Sequence, residues 1–301
     1  MDQIKSKNPD FLIVLGDRSE IFGVCVAAYI SRIPIFHISG GEVTKGAYDE
    51  AFRHCITKMS SLHFTSTEKH RSRVIQLGEK PNTVFNVGAI GLDSIKNLKL
   101  LSKKEFEDSI NFKLGKLNFL LTYHPQTLEN DNEVENLRKI FNSIDKIKDV
   151  KLIITKPNFD KSSNKIISEI DKYVKNNYKN SIAFRSLGQL RYLSAIKNVD
   201  LVIGNSSSGI IETPSFKRAT INIGSRQSGR ECSSNIINVR FSEKEILNGI
   251  KLGISPSFRK KLSSVESIYG DGKTSKKIIK IINNLKPIDF PKNFYDLNFN
   301  S

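Results

Sequence analysis

The chain has 301 residues, of which 38% are hydrophobic, enough for a sizeable core and, by length, for two domains. Its formal net charge is +16, which invites a nucleic-acid reading. The surplus is mostly lysine spread along the whole chain without interleaved aromatics, so it reads as a solvated surface able to attract a polyanionic small substrate. Three scattered cysteines, Cys25, Cys55 and Cys232, form no CxxC pair, which argues against a zinc site or a disulfide framework. No apolar run reaches membrane-spanning length and the opening MDQIKSKNPD holds no signal-peptide core, so the expectation is a cytoplasmic protein with no membrane or nucleic-acid partner.

In chain order, FLIVLGD (11–17) reads as a strand, 19–31 as a helix and IPIFHI (33–38) as a second strand. A helix near 47–59, a strand LHFTS (62–66), a helix near 67–78 and a strand TVFNVG (83–88) follow. After a lysine-rich connection near 89–115, LNFLLT (117–122) is a strand, 130–146 a helix and VKLIIT (150–155) a strand. A helix near 161–177, the strand SIAF (181–184), a helix near 188–197 and the strand VDLVIG (199–204) complete the alternation. Strands and helices alternating at these lengths predict an α/β architecture with two parallel, Rossmann-like sheets divided by the 89–115 connection. FLIVL is apolar throughout, as a strand buried on both faces should be. Standing almost first in the chain, it predicts a first domain incomplete at its N-terminus.

Chemistry in such sheets gathers where strands end. The first half places Asp17 and Arg18 after its first strand, and His37 and Glu42 after its second. The run YDEAFRH brings Asp49, Glu50, Arg53 and His54 within about one helical turn. The second half adds His124, Asn158, Arg226 and the turn GNSSSGIIET, with Ser206, Ser207 and Glu212. A strand passing to a helix through small donors suits an anion. Ser207 as a simple helix cap is the competing reading. Each other residue has a bland alternative too: Asp17 as a cap, His37 as a satisfied strand-end histidine, Glu50 as a first-turn acid, His124 as a loop residue before Pro125, Glu212 and Arg226 as an ion pair. Together, carboxylates in one half and phosphate-type donors in the other fit proton transfer beside a held diphosphate. Walker-type and G-x-S-x-G motifs are absent, as is metal-ligand spacing.

The motifs VLGDR, HISGGEVTKGAYDEAFRHCITKMSSLHF, GNSSSGIIET, GSRQSGRE and YGDGKTSKKI, in this order, resemble the hydrolysing UDP-N-acetylglucosamine 2-epimerases, in the bacterial branch that feeds sialic and legionaminic acid synthesis. The likeness runs from about residue 8 to 285. It implies a glycosyltransferase-B-like fold: a partial first domain over 1–95, a UDP-binding domain over 96–285 whose C-terminal helices return to the first, and a tail over 286–301. It implies elimination of UDP with loss of the C2 proton, then hydration to a free sugar of inverted C2 configuration, with no metal or other cofactor and with a homodimeric assembly.

Carried over by motif, Asp17, Glu50 and, less directly, Glu42 match the acids at the reacting sugar, and His124 matches a histidine near sugar and diphosphate. Ser206 and Ser207 match phosphate binders, Glu212 a ribose binder, and Arg18, Arg53, Asn158 and Arg226 further substrate positions. Ser39 stands where many relatives carry Glu or His, and an early arginine-bearing TGTRA-type loop is missing. Both UDP-N-acetylglucosamine and UDP-N,N'-diacetylbacillosamine fit as substrates. The alternatives are a glycosyltransferase of the same architecture and an inactive or binding subunit of an epimerase.

Overall fold

A computed structural model describes residues 7, 9–43, 49–125, 132–157, 163–285 and 291–297. The chain divides into two units, residues 1–94 with 268–301 and residues 95–267.

The first unit carries β1 (Leu12–Leu15), α1 (Ser19–Ile30), β2 (Ile35–Ile38), α2 (Asp49–Met59), β3 (Leu62–Thr65), α3 (Glu68–Gln76) and β4 (Val84–Asn86). Its sheet runs β1-β2-β3-β4, parallel throughout. Strands β2 and β3 are buried along their whole length, as expected where neighbours flank both edges and helices cover both faces.

Strand β1 departs from the expectation of two-faced burial. Val14 is buried, but Ile13 and Leu15 are 44% and 51% exposed. Among the described residues β1 pairs only with β2, so one apolar face of an edge strand stays open. A continuous apolar run cannot by itself tell a central strand from an edge.

The short helix α4 (Asp93–Asn97) straddles the division between units. The second unit then carries α5 (Lys103–Ile110), β5 (Leu117–Thr122), α6 (Glu133–Asp145), β6 (Val150–Thr155), α7 (Asn164–Asn176), β7 (Ser181–Phe184), α8 (Gly188–Asn198) and β8 (Leu201–Gly204). Beyond the elements read from sequence lie the one-turn helix α9 (Ser208–Ile211), strands β9 (Ala219–Ile223) and β10 (Ile236–Val239), and helices α10 (Glu243–Gly253) and α11 (Pro256–Leu262). This sheet is again wholly parallel, in the order β10-β9-β8-β5-β6-β7. The direction of winding reverses between β5 and β8. That is the topological switch point of a doubly wound sheet, where the connections leave in opposite directions and open a crevice at the strands' carboxyl ends.

Helix α12 (Thr274–Asn283) belongs to the first unit and lays Ile278 against Phe36, Ile38, Leu62, Phe64 and Val87. Asp93 holds its start. The Thr274 and Ser275 N–H groups donate to the two Asp93 carboxylate oxygens at 2.8 and 2.7 Å. A carboxylate at a helix N-terminus satisfies otherwise orphaned donors and meets the positive end of the helix dipole.

Candidate active site

In the first unit the sequence-selected acids converge on one arginine. Arg53 is buried on α2, 3% exposed. Its guanidinium donates to Asp17, to Glu50 Oε2 at 2.9 Å and to the Glu42 carbonyl at 2.8 Å. Spacing explains the last turn of this arrangement, because residues i and i+3 of a helix share a face. Asp17 follows β1 through Gly16, which sits at φ +85°, a conformation glycine adopts without strain. Burial raises the Asp17 pKa above its ordinary value; Arg53 opposes that, while Asp49 and Glu42 add to it. The result is a carboxyl with reason to hold a proton, kept in place by a cation that never gives one up.

Glu50 is shared with His54, whose Nε2 lies 3.2 Å from Oε1. Glu42 turns towards Ser66, whose hydroxyl donates to it at 2.8 Å while also lying 3.1 Å from His70. Arg18 is exposed at the start of α1 and caps nothing with its side chain. His37 is fully buried, with Nε2 2.8 Å from the Gly16 carbonyl and Nδ1 3.1 Å from the Thr57 hydroxyl. Its pKa falls to about 3, chiefly through burial. It is a satisfied neutral histidine that steadies the turn before Asp17.

In the second unit the residues gather at the β5/β8 switch point. Gly204 ends β8 at φ +136°, and a Cβ there would meet the Thr122 carbonyl oxygen at 1.9 Å. Only glycine lets β8 run this close to the end of β5. Asn205, fully buried, then ties the two strand ends together: its Oδ1 accepts the His124 N–H at 2.8 Å and its Nδ2 donates to the His124 carbonyl at 2.8 Å. The Asn205 carbonyl in turn accepts from Arg226 at 3.1 Å and from Gln227 at 2.9 Å. One buried amide thus fixes three loops. The sequence around Asn205 does not reveal this role, for the partner of its side chain lies 81 residues away.

The serine turn differs in detail from its sequence reading. Helix α9 is a single turn followed by a 3-10 segment, Thr213–Phe216. The N–H groups of Ser208, Gly209 and Ile210 are taken within the turn by Ser206 and Ser207 oxygens. Ser207 makes no side-chain cap bond, so simple capping does not explain it. The donors left to offer a ligand are the hydroxyls of Ser206 and Ser207 and, beside them, the Ser206 and Ser207 N–H groups, which donate to nothing among the described residues.

Among the described residues Glu212 pairs with no cation, and its Oε2 is buried without a hydrogen-bond partner, so the alternative reading of an ion pair with Arg226 is not met. Burial raises its pKa to about 7. His124 is pushed the other way, to about 4, by burial and then by Arg226, so it is neutral at physiological pH. Asn158 lies outside the described residues. Among the described residues no group of three or more His, Cys, Asp or Glu side chains could hold a metal ion. No helix among them is long and apolar enough to cross a membrane.

The family model for UDP-N-acetylglucosamine 2-epimerase matches residues 1–283. The chain belongs to this family. A GDP/UDP-N,N'-diacetylbacillosamine 2-epimerase (hydrolyzing) from Campylobacter jejuni is 40% identical over 242 residues, 80% of this chain and 63% of that protein. The polysialic acid biosynthesis protein P7 of Escherichia coli is 40% identical over 303 residues, 98% of this chain and 76% of its own length. Among solved structures, UDP-GlcNAc 2-epimerase from Neisseria meningitidis bound to UDP-GlcNAc superposes with a TM-score of 0.79 over 94% of this chain and 79% of that one, at 20% identity. The family's fold, two Rossmann-like units of glycosyltransferase-B type, is that of this chain. The chain spans about two thirds to three quarters of the length of these curated relatives.

Proposed function

We propose that the chain is a hydrolysing 2-epimerase for a UDP-2-acetamido sugar, UDP-N-acetylglucosamine or UDP-N,N'-diacetylbacillosamine. The observation that carries the reading is the Asp17–Arg53–Glu50 cluster, in a chain whose relatives at 40% identity include a named hydrolysing 2-epimerase. A glycosyl transfer needs no group of carboxylates to remove a C2 proton, whereas an elimination does.

The second unit holds the nucleotide. Ser206 and Ser207 donate to the diphosphate, Arg226 adds charge, and the orphaned Glu212 carboxylate accepts from ribose hydroxyls. A buried acceptor without a partner is costly until a ligand supplies one. Asp17, Glu50 and Glu42 supply the proton-transfer groups, ordered by Arg53, with Arg18 as a further substrate contact. Neutral His124 offers a hydrogen bond or a base without adding charge. In the reaction the C2 proton leaves to a carboxylate and the C1–O bond to UDP breaks, giving a 2-acetamidoglucal. Water then adds its hydroxyl at C1 while a proton returns to C2 on the opposite face. Donor plus water become UDP plus a free sugar of inverted C2 configuration, with no electrons to balance.

The protein works as a homodimer in the cytoplasm on this reading, in keeping with its unpaired cysteines. The test is product analysis with each UDP-sugar, and with the GDP counterpart, in the absence of any acceptor. Equal molar yields of nucleoside diphosphate and free manno-configured sugar support the proposal. Donor consumed only when an acceptor is added would establish a transferase instead.

A further inference from the structure

Tyr192, on α8, was not among the residues selected from sequence, yet its hydroxyl stands at the centre of the switch point. It lies 2.5 Å from Ser208 Oγ and 3.5 Å from Thr122 Oγ1. Thr122 Oγ1 is 2.6 Å from Thr155 Oγ1, which reaches the Leu121 carbonyl at 3.5 Å. On the other side Ser208 Oγ is 3.0 Å from Ser206 Oγ. Five hydroxyls therefore lie in one row of contacts, Thr155–Thr122–Tyr192–Ser208–Ser206, from the carboxyl end of β6 to the serine turn.

Each hydroxyl has a single proton, so each can donate to one neighbour only. At the inner end the carbonyl of Leu121 can only accept, which commits the Thr155 proton. Thr122 then donates to Thr155. Tyr192 remains protonated, since burial raises its pKa, and a phenol is a better donor than an alcohol. Its shorter contact is to Ser208, so the proton goes there; with the Thr122 proton on Thr155, the 3.5 Å Thr122–Tyr192 contact carries no hydrogen bond, and the row divides into an inner pair and an outer set, Tyr192–Ser208–Ser206. Ser208 donates onward to Ser206, and the Ser206 proton is left to point out of the turn.

Resting on the nucleotide reading above, we propose that Tyr192 is a positioning residue that polarises the outer set Ser208–Ser206, so that the Ser206 hydroxyl is presented as a donor to a diphosphate oxygen. Without the phenol, Ser208 has lost its donor. Ser206 can then turn its own proton inward to Ser208, and the turn presents a lone pair to an anion.

The experiment is direct binding of UDP and of uridine to Tyr192→Phe, Ser206→Ala and the double variant, with thermal unfolding of each. Tyr192→Phe keeps the ring and should leave uridine binding unchanged while weakening UDP about 10-fold. The double variant should bind UDP no more weakly than Ser206→Ala alone, because both changes remove the same donor. UDP affinity unchanged in Tyr192→Phe overturns the proposal, as does an equal loss for uridine. If Ser206→Ala also loses nothing, the serine turn does not hold the diphosphate and the underlying reading fails as well. Should Tyr192→Phe not fold, Ser208→Ala interrupts the same outer set and must show the same selective loss.

Discussion

Glu212 offers a pH test of nucleotide binding. Its carboxyl is buried, lacks a partner for Oε2 and has a pKa of about 7. Donors such as ribose hydroxyls favour the ionised form, so ligand binding must lower that pKa and release a proton near neutrality. With a free-protein value of about 7 and a bound value of about 5, affinity rises ~10-fold from pH 6 to pH 8, about 1.4 kcal/mol. His124 is already neutral above pH of about 4 and does not contribute. UDP-N-acetylglucosamine is the ligand of choice, since its diphosphate diester does not titrate in this range, and the titrations are made in the Asp17→Asn background so that the ligand is not turned over. Calorimetry at both pH values should show tighter binding at pH 8, with proton release visible as a dependence of the heat on buffer. Glu212→Gln should bind more weakly at pH 8 and lose the pH slope. An affinity that is flat between pH 6 and 8 with Glu212 in place, or an unchanged slope in Glu212→Gln, refutes the role given to Glu212. In the empty protein the sign is opposite. A pKa raised above the unfolded value makes the native state bind the extra proton, so this group's contribution to stability declines as pH rises from about 4.5 to about 7.

Three further outcomes follow from the geometry. Gly204→Ala forces a side chain against the Thr122 carbonyl at a φ that disfavours it, and should destabilise the protein by about 3 kcal/mol or more in urea unfolding. Asp17→Asn should keep UDP affinity within about threefold but cut turnover by roughly 100-fold or more, measured as UDP release; a loss confined to KM would contradict its role. Asp93→Ala removes the bonds that start α12 and should cost about 1–2 kcal/mol. Because hydrogen bonds from Ser275 and Thr274 hold the Asp93 pKa below its ordinary value against burial, its contribution is present at neutral pH and is lost as pH falls through the acid range. The variant should narrow its stability gap to wild type on acidification.

The long apolar runs LNFLLT, VKLIIT and SIAF are strands at the residues read from sequence. The first two are largely buried and SIAF is partly buried; each is bounded by helix-forming stretches, which local pattern captures. The strands ATINI and IINV are short, carry asparagines and follow the serine turn and a loop without a long helix between. Their identity as strands depends on pairing with β8 and with each other, which no local pattern encodes. The same limit applied to β1, whose composition speaks of two buried faces while its pairing leaves one open.

At the site, residue types and their place at strand ends were legible because chemistry in a parallel sheet collects there. What was not legible is the wiring. Asn205 and Tyr192 matter through partners 81 and 16 residues away, and the N–H groups of Ser208, Gly209 and Ile210 are spent on Ser206 and Ser207 oxygens at the start of a one-turn helix. Arg53 could be read as a substrate contact from its motif; its burial between Asp17 and Glu50 adds the task of holding the carboxylates.

The most direct measurement is proton NMR of the protein with UDP-N-acetylglucosamine and UDP-N,N'-diacetylbacillosamine in D₂O. A hydrolysing 2-epimerase consumes the donor and releases UDP and a free manno-configured sugar carrying deuterium at C2. A free sugar that keeps its original C2 proton and configuration, or donors left intact by a folded protein, would contradict the proposed function.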